Sequence, residues 1–196
     1  MAPSDWQSAR TLADLGQLTA RWLETDLADV PGYSGPPAAE TLTLVPVLAQ
    51  LNRAGYLTNS SQPGEAGLGY DGERYEQRAA VEGFAGAKLT HTLTDAARDA
   101  GLTVIAYDPA GLPRWRNRYR HCMPVTQAGG HAFTRFGAHL SRRFLRDGWV
   151  GYGDCHPAAV EAVCAAWQVT VIDPVWGRPN LLWDVLSDAV TGGGRV

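Results

Sequence analysis

Two short apolar runs of the same form constrain this chain most. Residues 102–107 read Leu-Thr-Val-Ile-Ala-Tyr and close on Asp108-Pro109, while residues 169–172 read Val-Thr-Val-Ile and close on Asp173-Pro174. β-Branched residues favour strands, and a proline ends one because it brings no N–H to a ladder. Each run follows a helix-like stretch across a short connection: 90–100, ended by Gly101, and 158–167. Helix and strand alternating at that spacing predict αβ units in a mixed or parallel sheet.

The remaining pattern fits around these units. Leu12, Leu15, Leu18, Trp22 and Leu23 recur at intervals of three and four, which predicts an amphipathic helix over 6–27. Pro31-Gly32 and Pro36-Pro37 make 26–37 a loop. A second helix is expected over 38–54, burying Leu44, Val47, Leu48 and Leu51, with Pro46 either delaying its start or kinking it. Residues 64–75 read as a glycine-rich acidic loop, 77–84 as a strand, and 139–146 and 181–189 as helices. At 196 residues the length suits one core. The expectation is an α/β single domain over 1–190, a mixed sheet of about five strands flanked by helices, with a flexible C-terminal tail over 191–196.

Composition narrows the function. The net charge is −3 and the pI about 5.9, so no global basic field draws the chain to nucleic acid. No apolar run approaches the roughly 18 residues of a membrane span, and the first residues lack a signal-peptide pattern. A cytoplasmic protein with no membrane partner is expected. The three cysteines form no CxxC pair, and neither a metal nor another cofactor is implied. Oligomeric state is left open.

The strongest candidate site is the polar segment after the second helix. Gly55 reads as the helix stop and Pro63-Gly64 as a turn. Between them Tyr56, Thr58, Asn59, Ser60, Ser61 and Gln62 crowd uncharged hydrogen-bonding groups into seven positions, more than a turn needs for its own backbone. Gln77 and Arg78 open the next strand, and Arg78 offers a planar fork for a carboxylate or phosphate. Asp173, at a strand end, is followed by Trp176 and Arg178, which suit stacking and charge recognition. Asn59, Ser61, Gln62, Gln77, Arg78, Asp173, Trp176 and Arg178 are therefore the expected contacts to a small polar or anionic molecule, nucleotide-like or amino-acid-like.

Two other readings compete. Cys155 or Cys122 with His131 or His156 would suit a cysteine-dependent hydrolase or transferase, Cys155 standing where a helix N-terminus would lower a thiol pKa. No cysteine lies in a recognised nucleophile signature, and the serines lack the G-x-S-x-G elbow. The run Arg114-Trp115-Arg116-Asn117-Arg118-Tyr119-Arg120 is the one basic cluster and would suit an interaction module or a charged edge strand.

Three segments carry a resemblance. They are Leu48-Ala49-Gln50-Leu51-Asn52-Arg53-Ala54-Gly55-Tyr56 with Ser61-Gln62-Pro63-Gly64, then Gln77-Arg78-Ala79-Ala80-Val81-Glu82-Gly83-Phe84, then Asp173-Pro174-Val175-Trp176-Gly177-Arg178. Together they resemble an uncharacterised domain family of actinobacterial, chiefly Streptomyces, genomes and mobile elements. The resemblance covers most of the chain and implies a source and a shared site among the three segments. It carries no activity.

Overall fold

The computed structural model describes residues 5–69, 72–110, 121–152 and 155–192. In chain order the helices are α1 (Asp5–Ser8), α2 (Leu12–Leu23), a 3-10 helix (Ala39–Leu44), α3 (Val45–Arg53), α4 (Ala87–Asp99), α5 (Arg142–Arg146), a π-helical turn (Asp147–Tyr152), α6 (Pro157–Cys164) and α7 (Leu181–Gly192). The strands are β1 (Asp29–Val30), β2 (Tyr33–Ser34), β3 (Leu57–Gln62), β4 (Glu65–Leu68), β5 (Arg74–Gln77), β6 (Ala80–Ala85), β7 (Thr103–Tyr107), β8 (Met123–Ala128), β9 (His131–Phe136) and β10 (Trp167–Ile172).

Helix ends follow local chemistry. Thr11 caps α2, taking the Asp14 N–H while the Asp14 carboxylate accepts the Thr11 N–H, a capping box that separates α2 from α1. The helix expected over 6–27 is therefore two helices. Pro46 falls in the first turn of α3, where no intrahelical N–H is lost, so the 3-10 helix precedes it and no kink results. At the other end Gly55 takes φ +99°, with Gly55 N–H on Asn52 and Tyr56 N–H on Leu51. This is a Schellman stop, open to glycine because its φ is positive.

The sheet differs from expectation. Instead of one sheet of about five strands, the described residues form two of four strands, ordered β3-β6-β10-β7 and β4-β5-β8-β9, plus the β1-β2 ribbon. Every pairing among them is antiparallel. The αβ spacing did mark a crossover: β6 and β7 both run antiparallel to β10, so the chain leaves β6 through α4 and returns in the same direction with β10 inserted between. The polar segment 59–62 lies in β3, and the expected loop over 64–75 contributes 65–68 to β4 and 74–75 to β5, because 57–68 and 74–85 pair as the two arms of one long hairpin. From Ser60 to Leu68 its register against Glu82 to Arg74 is unbroken.

The hairpin bends at Pro63-Gly64, opposite Arg78-Ala79, and there it changes neighbours. Arg78 donates its N–H to the Val125 carbonyl of β8, whereas the Ala79 carbonyl accepts the Asp173 N–H beyond β10. One strand thus feeds two sheets that diverge from the bend.

Burial follows the two-residue period of β6. Val81 and Ala85 join Val169 and Val171 beneath Leu48, Leu51, Leu93, Leu182 and Leu186 of α3, α4 and α7. Phe84 and Leu57 face the opposite way, against Leu15, Leu18, Leu145, Val160 and Val163. Ala80, Val125, Phe136 and Ile172 fill the gap between the diverging sheets. Each fully buried aliphatic side chain contributes about 1.5–3 kcal/mol. Among the described residues no helix is long and apolar enough to cross a membrane.

Candidate functional site

The three singled-out segments meet at the bend of the hairpin. Gly64 lies so close to the Arg178 carbonyl that a Cβ would stand 1.9 Å from its oxygen. Gly177, at φ +73°, donates its N–H to the Gln77 carbonyl. Loop 173–178 is thereby seated in the bend.

The expected contact residues at this junction engage one another. Gln62, buried, donates its amide to the carbonyls of Arg78 (3.2 Å) and Val125 (2.6 Å) and accepts the Thr126 hydroxyl (3.0 Å). Arg78 donates Nη1 to the Pro124 carbonyl (2.9 Å) and lays its guanidinium 4.0 Å from the centroid of the Trp176 ring. Burial pushes the Arg78 pKa down and nearby Asp173 opposes that. Asp173 is fully buried and takes Arg178 in a two-pronged pair, Nε at 2.6 Å and Nη2 at 2.7 Å, with the Val175 N–H at 2.9 Å. That bond raises the Arg178 pKa. Gln77 donates to the Tyr75 hydroxyl (2.6 Å). Only Gln77 Oε1 and Arg78 Nε in this group are buried without a partner among the described residues. The junction is chemically a clasp between two sheets.

Asn59 and Ser61 sit elsewhere. A register shift between Thr58 and Ser60 marks a bulge in β3, the edge strand of its sheet, and Asn59 occupies it. Thr58 is pinned on the α3 side, its backbone and hydroxyl both held by the buried Asn52 amide. Asn59, Ser60 and Ser61 line a cleft of about 450 Å³, walled by Trp22, Tyr33 and Trp149 and edged by Glu40. That volume is in the range of small-molecule sites. Trp22 is fixed by its indole N–H on the Gly35 carbonyl (2.9 Å) and by an edge-on contact with Tyr33. Trp149 stands edge-on to Phe84. Rigid aromatic walls facing amide and hydroxyl groups suit a planar, polar guest.

Beneath the same edge lies a half-buried carboxylate. Glu82 pairs across the sheet with Ser60 on one side and Thr170 on the other, placing three polar side chains in one row. Its Oε2 accepts the Gly137 N–H at 3.0 Å. Burial pushes the Glu82 carboxyl above its ordinary pKa, offset in part by that N–H. Segment 137–140 is tied across this row: Tyr107 donates to the Gly137 carbonyl, and the Gln168 amide exchanges two bonds with the Leu140 backbone. His139 stands edge-on to Tyr107 at 5.3 Å.

Sequence reasoning missed Trp22, Tyr33, Trp149, Glu40 and Glu82. Trp22 fell on a helix face that reads as core, and Tyr33 lay in a loop defined by prolines. Glu82 did leave a signal, as the one charged residue in the apolar strand Ala80–Ala85.

The cysteine residues fall in different surroundings. Cys155 is buried in the cluster with Trp6, Leu145 and Val160. His156 uses Nδ1 to accept the Ala158 N–H as the N-cap of α6. Cys164 is half-buried, and burial pushes its thiol pKa up, away from the reactive thiolate. Cys122 precedes β8 and His131 is exposed at the start of β9. The arginine run at 114–120, with Trp115, lies outside the described residues.

A fold of this kind, two antiparallel sheets clasped at a bent hairpin with an aromatic-walled cleft at one sheet edge, defines a mixed helix-and-strand domain. A family profile described as a domain of unknown function, DUF6919, matches residues 2–193. The chain belongs to that family. No curated protein gives a significant match.

Proposed function

We propose that this is a cytoplasmic small-ligand-binding domain of actinobacterial origin, and that the cleft beside β3 takes a small, polar, planar molecule. The observation that carries the reading is the pairing of fixed aromatic walls with Asn59, Ser60 and Ser61 on one strand edge. Within the polar-or-anionic class, the lining favours a neutral guest: Glu40 is the charged residue along it, and the arginines Arg78 and Arg178 are committed to the clasp. A heterocyclic ring with carbonyl and amino edges, as in a nucleoside, would stack on an indole and bond to amide and hydroxyl groups. Arginine in place of lysine almost throughout, with Lys88 the single lysine among 17 basic residues, supports the source.

Thermal shift with a panel of neutral nucleosides and free bases tests this. At least one member should raise the melting temperature of the wild type. Asn59→Ala with Ser61→Ala should weaken its binding by roughly tenfold, the equivalent of one or two lost hydrogen bonds. A panel without a stabilising member, or binding indifferent to that double substitution, would contradict the proposal.

A further inference from the structure

The cleft beside β3 has a second polar lining besides Asn59, Ser60 and Ser61. The 3-10 helix Ala39–Leu44 brings Glu40 and Thr41 to it. Glu40 makes no hydrogen bond or ion pair among the described residues, whereas Glu24, Glu76 and Glu161 each hold an arginine. A carboxylate offers two acceptor oxygens and no donor. The part of a guest that reaches Glu40 must therefore supply donors.

The rest of the lining says what those donors belong to. None of the residues lining the cleft is basic, so a phosphate would find no counter-charge there and would meet Glu40 as a like charge. Trp22, Tyr33 and Trp149 suit the faces of a ring, and Asn59, Ser60 and Ser61 suit its edge. A cleft of about 450 Å³ is in the range that encloses a drug-sized molecule, more than one flat ring system fills. The guest then has a second part, neutral and rich in donors.

A ribose fits that description. Its 2′- and 3′-hydroxyls are neighbours, and both can donate to one carboxylate in charge-assisted bonds, the stronger class of hydrogen bond. An ammonium would meet Glu40 as one exposed ion pair, which contributes little, whereas two hydroxyls fixed on a ring match both carboxylate oxygens. We propose that the guest is an unphosphorylated ribonucleoside, its base between the aromatic walls and its 2′- and 3′-hydroxyls on Glu40. The assignment rests on the small-ligand reading of this cleft and adds to it the sugar and the lack of a phosphate.

Calorimetric titration of the full chain with adenosine, guanosine, cytidine and uridine, each beside its 2′-deoxynucleoside, free base and 5′-monophosphate, tests it. At least one ribonucleoside should bind, and its three counterparts should each bind about tenfold more weakly or worse. Glu40→Gln, at an exposed position, should bring that ribonucleoside down to the level of its 2′-deoxy form and leave the free base unchanged. A merely structural effect of the substitution would lower base and nucleoside alike. The proposal is wrong if a ribonucleoside and its 2′-deoxy form bind equally, or if a monophosphate binds as tightly as its nucleoside. It is equally wrong if Glu40→Gln weakens base and nucleoside together, or if tryptamine binds more tightly than every ribonucleoside. The two readings separate in the same experiment. Bases that bind whatever the sugar keep the cleft and remove the ribose, whereas silence from bases and nucleosides alike removes both.

Discussion

At the scale of single residues, a buried and a half-buried carboxylate are handled in opposite ways. Asp173 is matched by a guanidinium and a backbone N–H, whereas Glu82 has the Gly137 N–H and a row of neutral neighbours. Arg178→Ala should therefore lower the denaturation midpoint far more than Arg74→Ala, which breaks an ion pair held at the surface. Adding Asp173→Asn to Arg178→Ala should restore part of the loss, because a neutral amide needs no counter-charge. A double-mutant cycle in urea measures both. For Glu82 the folded pKa lies above its ordinary value of 4.5, so between the two the folded state holds the proton more firmly than the unfolded. Stability then falls as pH rises through that window, and ionised Glu82 is a net cost at neutral pH. Glu82→Gln keeps an acceptor for Gly137. It should flatten that slope and raise the stability at pH 7 above that of the wild type. Melting curves across pH that stay parallel for the two proteins would count against this role.

Elements were legible where one signal acted alone. Gly55 and the β-branched runs at β7 and β10 each announce a local conformation, and the elements form there, whereas the cap at Thr11 that divides the first helix was not read. The long hairpin was hidden because its arms carry glycine, proline and glutamate, and its pairing is set by register with a partner 74–85 rather than by apolar alternation. β8 and β9 were hidden for the same reason: Thr126, Gln127 and Thr134 leave little periodicity, and the pair is held by neighbours β5 and Phe136 in the inter-sheet core. The candidate site was half legible. A dense polar run located Asn59 and Ser61, but the partners that make a cleft around them, Trp22, Tyr33 and Trp149, come from distant elements that only folding brings together. The same blindness made Gln62 and Arg78 look like ligand contacts when they bond chiefly to backbone carbonyls of their own clasp. A backbone test belongs here too. Gly64→Ala places a Cβ against the Arg178 carbonyl, a rigid neighbour, and should destabilise by roughly 1–3 kcal/mol. The equivalent change at Gly67, where nothing lies within 4 Å of the added Cβ, should cost far less. Equal midpoints for the two variants would show that the bend is not seated as described.

For the whole molecule, the bent hairpin is what makes a site possible. It forces two sheets apart, leaves β3 as an edge, and lets α2, the β1-β2 ribbon and the π-helical turn close around that edge. The central claim is that this enclosure binds a small polar guest. Seven tryptophans give the protein seven indole N–H reporters, two of which, Trp22 and Trp149, wall the cleft. Two-dimensional NMR during titration with neutral nucleosides reads them directly. The account predicts that the indole signals of Trp22 and Trp149 and the backbone amides of Asn59, Ser60 and Ser61 shift together and saturate, while Trp167 and Trp183 stay in place. A saturable shift confined to other tryptophans, or a spectrum unmoved by every nucleoside, would contradict it.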